Sequence, residues 1–173
     1  CRDVHEAGRD IHESLNILHD TCGKYNVILS STGTHPFAKY SDRIPFPAER
    51  YQYLIDRNQW IARRLMIFGM HIHIGMKDGD SCIRFNNFLL YFIPHLTALT
   101  ASSPFWQSDN TGLASCRSTI FESCPTAGHP CRVNNWQEFS DLCNHMIACK
   151  AIGDLKDIWW DIRPSPKFGT LEV

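Results

Sequence analysis

The chain has 173 residues, 43% of them hydrophobic and 20% charged, with 17 Lys and Arg against 18 Asp and Glu for a formal net charge of −1. That length suits one domain with a sizeable core, and the near-neutral balance, with no Lys/Arg-rich stretch interleaved with aromatics, argues against a nucleic-acid partner. The longest apolar run, around Phe88 to Ala101, is interrupted by Pro94 and His95 and is too short to span a bilayer. The first residues lack the basic-then-apolar layout of a signal peptide, so no membrane association is expected and the protein is placed in the cytoplasm.

In chain order, Asp3 to Tyr25 has helical spacing, with Val4, Ala7, Ile11, Leu15, Leu18 and Cys22 on one stripe. Val27 to Ser31 is β-branched and apolar and predicts a strand. Thr32-Gly33-Thr34-His35-Pro36-Phe37 predicts a loop. Arg50 to Arg64 reads as one helix. Asp78-Gly79-Asp80-Ser81 supplies a turn and a helix N-cap, and the following helix runs from about Cys82 to Leu99 with a kink or break at Pro94. Residues 101 to 135 are rich in Ser, Thr, Asn, Gly and Pro, and so long an irregular stretch is the mark of a functional loop. Trp136 to Cys149 predicts another amphipathic helix. No internal repeat, low-complexity tract or linker is visible, so residues 1–173 are taken as one domain.

Two segments carry chemistry. In Phe68-Gly69-Met70-His71-Ile72-His73-Ile74-Gly75 the alternation is strict, so an extended backbone puts Met70, Ile72 and Ile74 on one face and His71 and His73 on the other, their Cβ atoms roughly 7 Å apart. Such a pair suits a metal or a phosphate, or simply a solvated sheet face. At the far end, an extended Ile158 to Arg163 places Asp161 and Arg163 on one face, with Trp160 and Ile162 on the apolar one. Pro164, Pro166 and Gly169 predict an irregular loop rather than a tight hairpin before the next run. There Leu171 and Val173 share a face and Thr170 and Glu172 the other, and the chain is expected to stop within an element. A carboxylate at 172 is either paired, with Arg163 as the partner at hand, or bound to a cation, because an unpaired buried charge is costly.

Eight cysteines invite a disulfide or zinc framework, yet there is no Cys-x-x-Cys pair and no regular ligand spacing. Cys22, Cys143 and Cys149 sit in helical patterns and read as reduced thiols acting as small hydrophobes. The alternative is that Cys116, Cys124 and Cys131, which fall in the irregular stretch, are oxidisable or ligand-contacting thiols.

Several runs taken together resemble a known family. Gly33-Thr34-His35-Pro36-Phe37, Gly69 to Gly75, Ala101-Ser102-Ser103-Pro104-Phe105-Trp106, Thr111-Gly112-Leu113-Ala114-Ser115-Cys116-Arg117, Pro125-Thr126-Ala127-Gly128, and Asp161-Ile162-Arg163-Pro164 through Thr170-Leu171-Glu172-Val173 occur in the order found in the type 2 glutamate-cysteine ligases. The resemblance implies an α+β fold of glutamine-synthetase type, a curved antiparallel sheet flanked by helices, here an internal segment incomplete at both ends. Family members also carry an acidic pair on an earlier strand and an arginine and a further acid beyond the matching Thr-Leu-Glu-Val, neither of which is present. It also implies ATP and magnesium as cofactors, amino acids as substrates, a homodimer, and a role in glutathione biosynthesis: glutamate's γ-carboxylate is activated as an acyl phosphate and captured by the amine of cysteine.

Carried over residue by residue, the resemblance makes Glu172 a magnesium ligand, with His71 on the metal or phosphate and His73 and Ser115 as nucleotide contacts. Arg117 and Arg163 become the catalytic cations, each a guanidinium fork matching a carboxylate or γ-phosphate. Thr111 and His35 would also line the site. Two other readings of the residues stand beside this one: a zinc-dependent hydrolase built on His71 and His73, and a non-catalytic interaction module.

Overall fold

Asp3 starts the first helix for a local reason: its backbone is extended, and its carboxylate accepts the Glu6 N–H at 2.8 Å. Helix α1, Val4–Lys24, ends where Tyr25 and Val27 donate back to the Cys22 carbonyl at 3.0 Å. The computed structural model describes all 173 residues and divides them into two compact units, Cys1–Thr32 and Gly33–Val173. The first unit is essentially α1, whose predicted stripe forms but buries none of its residues. Residues 27–31, predicted as a strand, form none. β-branched composition favours a pleated, half-buried surface only where a neighbouring strand supplies the ladder, and none does here.

The second unit holds the remaining elements. The helix predicted over Arg50 to Arg64 is two helices, α2 (Glu49–Asn58) and α3 (Trp60–Arg63), separated by Gln59 with φ at 48°. Gln59 is neither Gly nor Pro, so nothing local announces the break. After β1 (His73–Gly75), Asp78 caps α4 (Gly79–Leu89) by accepting the Ser81 N–H at 2.7 Å. The chain tightens into a 3-10 turn at Leu90–Phe92 before α5 (Ile93–Leu99). The break therefore precedes Pro94, which sits in the first turn of a new helix, where its missing N–H costs nothing.

Residues 101 to 135 contain more order than their composition predicts. Strands β2 (Phe105–Trp106) and β3 (Asp109–Asn110) form a hairpin through Gln107 and Ser108, both at positive φ. That backbone usually takes Asn-Gly or Asp-Gly, so the turn carries no compositional signal. A short helix α6 (Arg117–Phe121) follows, then β4 (Ala127–Gly128). Asn135 caps α7 (Trp136–Ala148) through the Glu138 N–H at 2.9 Å.

The run from Ile158 to Arg163 is not one strand. β5 (Trp159–Trp160) pairs in parallel with β4, the chain bends at Asp161 and Ile162, and β6 (Arg163–Ser165) joins a different sheet. β6 and β7 (Thr170–Glu172) form an antiparallel hairpin closed by a 3-10 turn at Pro166–Phe168 and by left-handed Gly169, φ 63°, in place of the predicted irregular loop. Pro164 is tolerated for a geometric reason. Ile72 and Val173 exchange both of their backbone hydrogen bonds, so by alternation Leu171 turns its N–H toward β1, and Pro164, opposite Leu171 on the edge strand, stands where no donor is needed. The three-stranded sheet runs β1-β7-β6, all antiparallel. Mixed helices and small, mainly antiparallel sheets make this an α+β arrangement.

Helix α4 lies between two apolar clusters and serves both with adjacent residues. Ile83 packs with Val133, Phe139, Cys143, Ile152 and Ile158 toward α7, while Cys82 packs with Ile93, Ile162 and Leu171 beneath the hairpin. Ile162 and Leu171 are fully buried, each contributing roughly 1.5–3 kcal/mol by transfer from water, and they pin the inward face of β6 and β7. All eight cysteines are unpaired. Cys82, Cys116, Cys124 and Cys143 are buried, as small hydrophobes would be, against the alternative of reactive loop thiols at 116 and 124; burial raises the Cys124 pKa, and Cys116 lies against Thr34. Cys149, read as a buried helix position, is exposed, because α7 ends one residue before it. No helix is long and apolar enough to cross a membrane.

Candidate active site

The register of the three-stranded sheet brings His73, Glu172 and Arg163 side by side on one face, with His71 one step along from His73. Arg163 Nη2 donates to Glu172 Oε1 at 2.6 Å, and its other amine nitrogen, Nη1, donates to the Ile158 carbonyl. His71 Nδ1 lies 3.5 Å from Oε1 of Glu172 and His73 Nε2 lies 3.8 Å from Oε2, within ion-pair range but beyond good hydrogen bonds. His73 Nδ1 is 2.8 Å from the Thr170 hydroxyl, and its ring meets Phe168 edge-on. Burial alone pushes the Glu172 carboxyl upward; the hydrogen bond and charge of Arg163, with His71 and His73 adding to them, outweigh it and hold the group below the ordinary glutamate value. The pairing of 172 with 163 is thus the arrangement present.

Arg117 reaches the same place from α6. Its Nε donates to the Phe68 carbonyl at 2.6 Å, and its guanidinium carbon lies 5.4 Å from the centre of the Phe121 ring. Burial lowers its pKa, with the Asp161 carboxylate acting against the shift, yet a guanidinium stays charged near neutrality. Gly69 makes the approach of Arg117 to His71 possible. A Cβ there would fall 2.8 Å from Arg117 Nη2 and 3.3 Å from His71 Nε2.

Ser115, Thr111 and His35 lie elsewhere. The Ser115 hydroxyl is 2.7 Å from that of Ser103, which also accepts the Arg117 N–H at 3.3 Å, so Ser115 touches the site only through Ser103. Thr111 donates to the Pro104 carbonyl, and His35 Nδ1 accepts the Ala38 N–H at 3.0 Å. None of these three lines the cleft described next.

His71, Arg117 and Arg163 form one end of a cleft of about 520 Å³. Two further arginines line it. Arg43 donates to the Leu65 and Ala62 carbonyls, which fixes its guanidinium, while the Arg50 guanidinium makes no hydrogen bond or ion pair with the rest of the chain. No Asp or Glu lines this space, so its potential is positive and it suits an anion. Reading by sequence overlooks Arg43 and Arg50; their only signal is that they flank the apolar, proline-containing run from Ile44 to Pro47.

Metal ligation is a separate question. No group of three or more His, Cys, Asp or Glu side chains is placed to hold a metal ion, and Arg163 already occupies the Glu172 carboxylate. Magnesium prefers several oxygen ligands, so these residues do not fit it by themselves. For the zinc-hydrolase reading, His71 and His73 have only Glu172 beside them, and that carboxylate is already paired with Arg163, so the donor set among these residues is incomplete.

A family model described as glutamate-cysteine ligase family 2 matches residues 1–173. Among curated proteins, one from Bdellovibrio bacteriovorus named "Putative glutamate--cysteine ligase 2" is 53% identical over all of this chain and 46% of its own length. Proteins of the same name from Gloeobacter violaceus and Thermobifida fusca are 44% and 41% identical, again over the whole of this chain and 46% and 43% of their own. The chain thus spans a little under half the length of the curated relatives it matches. Because the match runs from residue 1 to residue 173 and takes in the strands that assemble His71, Arg163 and Glu172, the chain belongs to glutamate-cysteine ligase family 2.

Proposed function

We propose that these residues supply the anion-binding part of an ATP-dependent carboxylate-amine ligase, which activates an acid such as the γ-carboxylate of glutamate and joins it to the amine of cysteine or a related amino acid. The observation that carries the reading is the convergence of Arg117, Arg163 and His71 on one end of a cleft without acidic lining. ATP supplies the phosphoryl group that makes the carboxyl carbon open to attack. Arg117, anchored through Phe68 and Phe121, holds an anionic oxygen by charge and by its remaining N–H donors. Arg163, held by Glu172 and the Ile158 carbonyl, lines the same cleft with its charge, and His71 contributes a hydrogen-bonding edge beside it. Glu172 acts here as a positioning group. Its charge is committed to Arg163, and a magnesium site would need oxygen ligands beyond those of these 173 residues, so no step is drawn through the metal.

The sheet β1-β7-β6 is proposed as part of the larger curved sheet of the glutamine-synthetase type, and the unpaired thiols support a reducing, cytoplasmic compartment. The test is ADP release from ATP by the purified protein, with acid and amine supplied together and then singly. ADP formation that requires both supports the ligase. ADP formation with neither, or no nucleotide binding by the folded protein, refutes it.

A further inference from the structure

The same cleft has a second chemical character. Besides its cations it is walled by two aromatic pairs from different elements: Phe46 and Tyr51, edge to face with centroids 6.3 Å apart, and Phe121 and Trp159, stacked at 6.0 Å and 14°, with Phe121 beside the Arg117 guanidinium. Leu54 and Ile55 of α2 line it as well. No Ser, Thr, Asn, Gln, Cys, Asp or Glu lines the cleft, so apart from the arginines its hydrogen-bonding side chains are only His71, Tyr51 and Trp159, set among a larger apolar lining. At about 520 Å³ the space is within the range that encloses ligands much larger than cysteine.

We propose that the amine substrate of this site is an amino acid with a bulky apolar side chain, its carboxylate held by Arg117 and Arg163 and its side chain between the two aromatic pairs. This deepens the ligase reading and rests on it. The absence of any acidic lining also suits the chemistry. An ammonium group among guanidinium groups is destabilised by like charge, so the amine is held in its neutral, nucleophilic form. Its nitrogen forms the bond to the activated acyl carbon, the phosphate departs with the electron pair of the broken C–O bond, and the surplus nitrogen proton passes to water.

The experiment measures binding of L-phenylalanine, L-cysteine, phenethylamine and adenosine to the purified chain by calorimetry, alongside ADP release with each amino acid as the amine. Phenylalanine is expected to bind at least tenfold more tightly than cysteine, because apolar pockets discriminate by such factors per added group, and tenfold more tightly than phenethylamine, which lacks the carboxylate. The exposed pair gives the variant with least effect on folding: F46A/Y51A should weaken phenylalanine at least fivefold and leave inorganic phosphate binding unchanged. Cysteine binding as well as phenylalanine, no loss in F46A/Y51A, displacement of phenylalanine by adenosine, or no binding at millimolar concentration each overturns the proposal. ADP release that requires acid plus cysteine and ignores phenylalanine overturns it while the ligase stands. Selective phenylalanine binding without ADP release under any combination supports the cleft's selectivity and refutes the ligase.

Discussion

Replacing Glu172 with glutamine removes one negative charge from the centre of the β1-β7-β6 face and leaves the side chain's shape intact. The charge lost is paired with Arg163 at 2.6 Å, and the two side chains are only 13% and 23% exposed. Breaking a fully buried pair costs 3–5 kcal/mol and an exposed one about 0–1 kcal/mol, so this half-sheltered pair lies between them, at about 2 kcal/mol. Histidines 71 and 73 are farther from the carboxylate and more exposed, so they add little. The sign of the pH dependence follows from the depressed carboxyl pKa. Its contribution is fully present above the unfolded-state value, about 4.3, and disappears as pH falls through the lower folded-state value. Urea unfolding of wild type and Glu172→Gln should therefore differ by about 2 kcal/mol at pH 7, hold that difference down to about pH 5, and converge in acid. A difference under about 0.5 kcal/mol at neutral pH, or one that does not shrink in acid, refutes the pairing as described.

Three further outcomes follow from particular contacts. Gly79→Ala drives a Cβ to 2.4 Å from the Trp136 indole, which is packed against Phe139, so overpacking of roughly 1–3 kcal/mol should outweigh alanine's better helix propensity and lower the thermal midpoint. Gly69→Ala meets only the movable end of Arg117 and the His71 ring, so urea stability should change by less than about 1 kcal/mol. Phosphate affinity in that variant should fall about tenfold, and unchanged affinity would mean that Arg117 is not aimed into the cleft. Native alkylation near pH 8 should label exposed Cys1, Cys131 and Cys149 and spare Cys143, whose buried thiol is pushed up to about 11; mass spectrometry after denaturation should then show Cys143 reacting.

Features decided by neighbours within a few residues were legible in the sequence. The N-cap read in Asp78-Gly79-Asp80-Ser81 forms because the Asp78 carboxylate reaches an N–H three positions on, a purely local geometry. Alternation alone put His71 and His73 on one face and separated buried Leu171 from Glu172. It left Glu172 open between Arg163, close in the chain, and a cation, and the structure shows the Arg163 pairing. Features that depend on what lies across the fold were not legible. Val27 to Ser31 has strand composition and no partner, while Gln107-Ser108 has no hairpin composition and makes one. Trp159 and Trp160 leave the strand that continues through Arg163 because β4, some thirty residues earlier, offers them a parallel ladder.

The cleft shows the division most clearly. The sequence by itself determined the types of groups available, an Arg-rich and aromatic set with paired histidines, and which of them share a face within one element, because side-chain direction repeats every two or 3.6 residues. Only the tertiary structure decided that Arg43 and Arg50 join Arg117, Arg163 and His71 around one space, and that Ser115 stays behind Ser103. Packing of Ile162, Leu171 and Ile83 around α4 sets how the hairpin, β1 and α7 meet, and a long-range meeting of this kind is fixed by burial summed over distant segments, which no local pattern encodes.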